Sequence, residues 1–334
     1  MEKLLITGGL GFIGSNFIHY VLRTWDTARV VNLDSISYGA NPHNLANVES
    51  TERYHFQKAD ITDSKTVEKL ISDCDVVIHF AAETHVDRSI SSPADFLHSN
   101  VLGTFTLLES ARKHKLRKFI HISTDEVYGP TPDVTSFTED DRLLASSPYA
   151  ASKGAADIFV QAYRRTYGLE TVILRCTNNF GPRQFPEKFI PKSIVSALLR
   201  RKVPIYGDGR QIRDWIYVED FCEAIMLAIE KAESGTLYNV SGGNEIANID
   251  VARLILRALD KSPDLIEFVE ERPGHDYRYS LDSSRIRRDL GWTPSHTFHE
   301  ALRETIVWYV KNEWWWKPLI TDRILSATPW KEKW

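Results

Sequence analysis

The stretch Lys3-Leu-Leu-Ile-Thr-Gly-Gly-Leu-Gly-Phe-Ile-Gly14 decides the fold. Its first five residues read as a short buried strand, and an amphipathic helix follows to about Arg23. Strand, glycine turn and helix in that order turn a weak glycine pattern into a dinucleotide-binding fingerprint. Gly8 permits the tight turn, Gly11 lets backbone N–H groups approach a pyrophosphate, and Gly14 lets helix and strand pack closely. The helix N-terminus adds a dipole that favours the anion. The next strand, Val30-Val-Asn-Leu33, ends at Asp34, twenty residues after Gly14. A carboxylate there accepts from both ribose hydroxyls and repels a 2′-phosphate, so the expected cofactor is NAD rather than NADP. A glycine-rich loop without a ligand is the plain alternative.

Working outward, a strand over residues 54–58 runs into Ala59-Asp60-Ile61, where an Asp can reach the adenine side. Val76-Val-Ile-His-Phe80 opens into Ala81-Ala-Glu-Thr-His85, whose small residues let a dinucleotide lie against the backbone. His79, among apolar neighbours, reads as a satisfied core histidine rather than a catalyst. A long helix is expected over residues 93–114, then strands over 118–122 and 171–174. Alternating strands and helices imply right-handed crossovers: an α/β, Rossmann-type doubly wound parallel sheet. After Asn178-Asn-Phe-Gly-Pro182 the texture shifts to short elements rich in Arg, Gly and aromatics, which suggests a smaller mixed α/β substrate-binding lobe. The expected division is 1–177 for the NAD-binding part, with some later segments returning to it, 178–312 for the lobe and 313–334 for a Trp-rich tail.

Composition is that of an ordinary enzyme. The chain has 334 residues, 43% of them hydrophobic, a net charge of −4 and a pI near 6.3, so nothing points to nucleic acid or an anionic membrane. Three scattered cysteines without a C-x-x-C pair fit a reducing compartment and no metal site. No apolar run is long enough to span a membrane, and the first strand begins at Lys3. The expected location is cytoplasmic.

The chemistry is carried by His121-Ile-Ser-Thr-Asp-Glu-Val-Tyr-Gly129 and Tyr149-Ala-Ala-Ser-Lys153. The first delivers Ser123, Thr124, Asp125 and Glu126 at the carboxyl end of a strand, where open α/β sheets bind ligands. The second puts Tyr149 and Lys153 one helical turn apart on one face. A free tyrosine titrates near ~10, and a neighbouring ammonium is expected to lower that and make Tyr149 a usable acid/base. A buried Tyr beside a solvated Lys is the bland reading of that pair alone. Arg213, Lys188 and Arg272, in turn-rich segments, are candidates for a second diphosphate, although a single Arg is more often a surface ion-pair partner.

These motifs resemble the extended short-chain dehydrogenase/reductase superfamily, and within it the nucleotide-sugar 4,6-dehydratases, from Lys3 to about Asn312. The resemblance rests on Thr7-Gly-Gly-Leu-Gly-Phe-Ile-Gly14, Ala81-Ala-Glu-Thr-His-Val-Asp-Arg-Ser89, Ser123-Thr-Asp-Glu-Val-Tyr-Gly129, Ser147-Pro-Tyr-Ala-Ala-Ser-Lys153, Phe185-Pro-Glu-Lys188, Gln211-Ile-Arg-Asp-Trp215 and Arg272-Pro-Gly-His-Asp276. The Asp125-Glu126 pair is its specific part. It implies that Phe12, Ile13, Asp34, Asp60, Ile61, Ala81, Ala82, Tyr149, Lys153 and Asn179 join the loop glycines in binding NAD. It further implies that Thr84, Asn178, Lys188, Phe189, Pro204, Ile205, Tyr206, Arg213, Asn248, Arg272, Pro273, Gly274 and His275 hold a nucleotide sugar. The implied substrate is dTDP-glucose, with UDP-glucose the alternative, in deoxysugar formation such as that of rhamnose. A homodimer pairing the helices over 93–114 and 148–167 is implied as well.

The residues suit such a reaction. The C5 proton of a hexose is not acidic until C4 is oxidised to a ketone. Water can then leave across C5–C6, and hydride returned to C6, with reprotonation at C5, yields the 4-keto-6-deoxy sugar. Tyr149 is expected as base at the 4-hydroxyl, Thr124 or Ser123 as its orienting partner, Glu126 as C5 base and Asp125 as acid at C6. Asp125 must then stay protonated near neutrality, which burial and a second carboxylate both favour. Neighbours on a strand face opposite ways, so both carboxylates reach one sugar only if the chain turns there. A nucleotide-sugar epimerase needs Tyr149 and Lys153 but no acid/base pair, and a binding protein that had lost catalysis would need neither. Five of nine tryptophans, Trp314, Trp315, Trp316, Trp330 and Trp334, crowd the last 21 residues. They are expected to pack on the body or a partner subunit, since such a cluster in solvent invites aggregation.

Overall fold

In the computed structural model, residues 2–114, 116–131 and 135–332 are described. The chain runs β1 (Lys3–Thr7), α1 (Phe12–Thr24), β2 (Arg29–Asp34), β3 (Tyr54–Lys58), α2 (Ser64–Ile71), β4 (Val76–His79), α3 (Val86–Ser91) and α4 (Pro93–Phe96). A π-helical segment, Leu97–Leu102, leads into α5 (Gly103–His114), β5 (Lys118–Thr124) and α6 (Pro148–Tyr167). The helix expected over 93–114 is therefore wound more loosely in its first half. Then come β6 (Thr171–Cys176), β7 (Asn178–Phe180), α7 (Phe189–Leu198), β8 (Val203–Tyr206), β9 (Ile212–Tyr217), α8 (Val218–Lys231), β10 (Leu237–Val240) and β11 (Glu245–Ala247). The chain finishes with α9 (Asn248–Ala258), β12 (Ile266–Val269), α10 (Ser284–Leu290), α11 (Phe298–Lys311) and α12 (Glu313–Trp316).

Seven parallel strands form the main sheet in the order β10-β6-β5-β4-β1-β2-β3. Strand periodicity divides its side chains between two layers. Leu4, Ile6, Val30 and Ile78 join Phe17 and Ile18 of α1 and Phe221 of α8 on one face. Leu5, Val31, Val77 and Phe119 meet Val67 of α2, Leu107 of α5 and Val160 of α6 on the other. Lys118, buried at the start of β5, donates to the carbonyls of Ala228, Ile229 and Ala232 and so caps α8. Residues 218–240 thus return to the main sheet, whose edge is β10, and the chain makes no clean break at 177. Outside the main sheet lie a three-stranded sheet β11-β9-β7, a two-stranded sheet β12-β8, and helices α7 and α9.

The tail packs on the body. Trp315, Trp316 and Trp330 are buried, Trp314 is exposed beside His43, and Trp334 lies outside the described residues. His79 is the satisfied core histidine expected, bonded to Thr7 Oγ1 at 2.8 Å and Thr104 Oγ1 at 3.0 Å.

Candidate active site

The site lies at the carboxyl ends of β1, β2, β4, β5 and β6. Gly8 sits at φ +72°, and a Cβ there would come 2.7 Å from the main chain of Ala81. A Cβ on Gly14 would stand 2.4 Å from the Gly8 carbonyl, so the helix starts where only glycine fits. Gly11 caps α1 without a side-chain hydrogen bond, which suits a pyrophosphate at that helix end. Asp34 is buried and fixed by Leu10 N–H at 2.9 Å and Ile36 N–H at 2.8 Å. One cleft is lined by Gly8, Gly11, Phe12, Ile13, Gly14, Asp34, Asp60, Ile61, Ala81, Ala82, Tyr149, Lys153 and Asn179, the whole set read as cofactor-binding. The buried Oδ1 atoms of Asn178 and Asn179 and the Oγ1 of Thr177, which lines the same cleft, have no hydrogen-bond partner there. These residues fit a dinucleotide.

Thr124, Asp125 and Glu126 line the same cleft. β5 ends at Thr124, and Asp125–Tyr128 coils into one 3₁₀ turn, so the two carboxylates no longer alternate as on a strand. Thr124 Oγ1 donates to Asp125 Oδ1 at 3.0 Å and accepts from Glu126 N–H at 3.3 Å, capping the turn. Gly129 ends it at φ +80°, where a Cβ would strike the Leu144 carbonyl at 2.2 Å. The geometric condition the sequence left open is met by this turn.

Burial, then the Glu126 carboxylate, pushes the Asp125 carboxyl up to about 8. Glu126 is also raised by burial, but Arg272, Arg213 and Lys188 pull it the other way. Both carboxyls are thus raised by burial, and only Glu126 has three cations working against the rise. Tyr149 and Lys153 ride on α6, whose start is set by Pro148 and by Ser147 Oγ accepting from Ala150 N–H at 3.1 Å. One expectation needs correction. Burial, then Glu126, pushes the Tyr149 hydroxyl well above its ordinary value, with only the Thr124 hydrogen bond opposing. The Lys153 ammonium donates instead to the Ile122 carbonyl at 2.6 Å, and burial lowers it to about 8. Lys153 is a buried cation, tied to the strand end rather than to Tyr149.

The residues read as sugar-binding divide. Thr84, Asn178 and Lys188 line the cleft, and Lys188 Nζ donates to the Thr84 carbonyl at 2.7 Å. Arg213 lies over the Tyr279 ring, 4.3 Å from its centroid, with donors on the Ile212 and Asp276 carbonyls. Arg272 pairs with Asp87 at 2.9 Å, His275 stands edge-on to Tyr206, and Pro273 and Gly274 are exposed in the same loop. Asn248 opens α9 with a buried, unpartnered Oδ1. Phe189 stacks on Trp215, and Pro204 is buried on β8. Ile205 does not reach the site with its side chain. Strand alternation turns it into the cluster of Ala197, Val203, Ile249, Ala252 and Leu256, leaving only its main chain for a ligand.

Sequence reasoning missed three contributors. Asp87 gathers Tyr206 and Arg272, and it stands inside the quoted segment ending at Ser89. Asn100 holds Glu83 through both main-chain atoms and Ser152 through its hydroxyl, from a π segment that no periodicity announces. Tyr38 bonds Glu187 across the cleft, with the Arg88 guanidinium 4.0 Å from its ring centroid.

A model of the GDP-mannose 4,6 dehydratase family matches residues 5–305. The dTDP-glucose 4,6-dehydratase of Escherichia coli is 45% identical, over 94% of this chain and 95% of that one. The Streptomyces niveus enzyme of the same name is 43% identical, with 98% of both chains covered. The chain belongs to the dTDP-glucose 4,6-dehydratase family. A dTDP-glucose 4,6-dehydratase from Streptomyces venezuelae, solved with NAD bound, superposes with a TM-score of 0.93 at 42% identity, over 95% of this chain and 100% of that one. A Thermotoga maritima UDP-glucose 4-epimerase superposes at 0.86 but is 29% identical, covering 93% of this chain and 99% of its own. The fold is thus common to dehydratase and epimerase, and the sequence sides with the dehydratases.

Proposed function

We propose that this protein dehydrates dTDP-glucose to dTDP-4-keto-6-deoxyglucose with NAD as a catalytic, regenerated cofactor. One observation carries the reading. Two carboxylates share a single turn beside Thr124, Tyr149 and Lys153; burial raises both, pushing Asp125 up to about 8, while Arg272, Arg213 and Lys188 oppose the rise at Glu126. An epimerase has no work for that pair. NAD, when bound, supplies the acceptor for hydride from C4 and its later donor to C6.

The chain's own residues do the rest. Tyr149 takes the 4-hydroxyl proton, with Thr124 orienting it through their hydrogen bond. Lys153 adds a buried positive charge held on the Ile122 carbonyl at the end of the same strand. Glu126 removes the C5 proton once C4 is a ketone and gives a proton back to C5 when hydride arrives at C6. Asp125 gives its proton to the departing 6-hydroxyl. Lys188, Arg213 and Arg272 receive the diphosphate and keep Glu126 ionisable.

The protein is also read as a homodimer. Leu97, Leu102, Phe105, Ile158, Phe159 and Tyr167 are exposed along the α4–α5 stretch and α6, and Phe105 and Phe159 touch edge-on. An apolar face of this size calls for a partner. Among the described residues no helix is long and apolar enough to cross a membrane. The three free cysteines suit a cytoplasmic location.

A panel of purified nucleotide hexoses, followed by the absorbance of the 4-keto product, tests the reading. dTDP-glucose should give keto product well ahead of UDP-glucose. A 4-epimer without keto absorbance would make the protein an epimerase. Light scattering at micromolar concentration should show a dimer, and Ile158→Glu should convert it to monomer.

A further inference from the structure

The tryptophan-rich tail has no part in the chemistry so far, yet it ends behind the sugar site. Trp315 Nε1 donates to Asn44 Oδ1 and Trp316 Nε1 to the Tyr309 carbonyl, both at 2.8 Å, which anchors the tail near the cofactor half. The chain then crosses to the lobe, where Lys192 Nζ donates to the Ser326 carbonyl at 3.2 Å and Lys331 pairs with Glu270. Trp330, 7% exposed, closes this path. Its ring stands edge-on to that of Tyr206, centroids 5.0 Å apart and planes at 87°. The short turn carrying it also packs on α3.

Tyr206 is therefore held on one side by Trp330 and on another by His275, at 5.9 Å. That leaves its hydroxyl aimed at α3, where it donates to Asp87 Oδ2 at 3.0 Å. The other oxygen of Asp87 accepts from Arg272 Nη1 at 2.9 Å. The Asp87 side chain is 5% exposed, so water replaces neither donor freely. The Arg272 Nε is buried without a hydrogen-bond partner, which leaves donor capacity for an incoming anion. Each link constrains the next: ring edge, hydroxyl, carboxylate, guanidinium.

We propose that Trp330 is a positioning residue for the nucleotide-sugar site, seating Tyr206 and, through Asp87, orienting the guanidinium of Arg272 toward the diphosphate. The proposal rests on the function stated above and deepens it. Trp330 touches no substrate itself. Its loss lets Tyr206 turn, takes one of two donors from Asp87, and loosens the Arg272 fork that planar recognition of phosphate requires. Binding of the nucleotide sugar weakens, while the carboxylate pair and the Tyr149–Lys153 couple stay in place.

The experiment compares parent, Trp330→Ala and Trp330→Phe as purified full-length chains, using dTDP-glucose turnover, dTDP calorimetry and NAD titration. Trp330→Ala should raise KM for dTDP-glucose and Kd for dTDP by roughly 10-fold, the scale of one lost oriented charge-assisted contact. Its kcat should stay within about two-fold of the parent and its NAD affinity should not move. Trp330→Phe, which keeps a ring edge, should restore most of the loss. Should Trp330→Ala not fold, Trp330→Leu keeps the bulk without the ring edge and carries the same expectation. Unchanged KM and Kd would overturn the proposal. So would a joint fall in kcat, NAD affinity and melting temperature, which marks a purely structural tail. A parent that binds dTDP but does not turn over dTDP-glucose would count against the assigned reaction instead, and the dTDP arm would still decide the role of Trp330.

Discussion

The residues read as cofactor-binding and those read as sugar-binding are brought into place by different means. Of the residues read as cofactor-binding, Gly8 stands after β1, Asp34 at the end of β2, Asp60 after β3 and Ala81 after β4, while Phe12, Ile13, Tyr149 and Lys153 ride on α1 and α6. The parallel sheet alone brings the first four positions to one edge, and backbone N–H groups hold Asp34 in place. Of the residues read as sugar-binding, Lys188 and Arg272 come from loops and Arg213 from β9, the central strand of the three-stranded sheet. They are held by carbonyls and by Asp87, up to 185 positions away in the chain. The first site is a consequence of topology. The second is an assembly of long-range contacts, and it should be the easier one to perturb from a distance.

The comparison breaks most sharply at the point where both halves meet. Tyr149→Phe should abolish the first oxidation, so adding substrate gives no reduced-cofactor absorbance and turnover falls by roughly 10²–10⁴-fold. Glu126→Gln should lower turnover by a similar factor, yet keep that absorbance, because it acts one step later. Solvent deuterium should enter C5 far more slowly in this variant, and exchange at the parent rate would show that another group takes the proton.

Next in size is the sugar half. Arg213→Ala should raise KM for the nucleotide sugar by roughly 10–100-fold through loss of a buried cation, with NAD affinity unchanged. Arg213→Lys should recover only part, since a point charge does not replace a planar fork. Equal losses of NAD and sugar affinity would mean that the two halves are not separable.

A smaller effect belongs to the cofactor half. The parent should bind NAD well ahead of NADP, and Asp34→Ala should narrow that preference by about 10-fold, the scale of one removed like-charge repulsion and its ribose contacts. Direct titration with both dinucleotides reads it.

The smallest effect is on stability. The folded pKa of Asp125 is raised to about 8 from an unfolded value near ~3.9, so the folded chain holds a proton that the unfolded chain releases. Stability from this group is complete below the unfolded value and is lost as pH rises through about 8. Asp125→Asn should therefore cost activity but raise the melting temperature, by more at pH 8.5 than at pH 5 and on the order of a few degrees. A gain equal at both pH values would deny Asp125 its raised pKa.

How far the sequence could be read follows the same division. The glycine loop, the strand ending at Asp34 and the Tyr149–Lys153 spacing depend on contacts within about twenty positions, where period and turn chemistry are decisive. They stand where the pattern put them. Where Lys153 directs its ammonium was not legible in the sequence. Spacing on a helix shows which residues share a face, but the acceptor, the Ile122 carbonyl, is supplied by a strand 31 positions earlier. Ile205 was grouped with its neighbours on β8, although alternation turns it to the core.

What the sequence determined by itself was the fold class, NAD as the cofactor and two adjacent carboxylates at a strand end, because each is written in local pattern and residue type. What only the tertiary structure decided was how those residues are charged and aimed. The turn at Asp125, the raised pKa beside Glu126 and the chain of contacts from Trp330 to Arg272 all depend on burial and on partners distant in sequence. Electrostatics and packing act through space, and the order of residues along the chain does not record which of them will become neighbours.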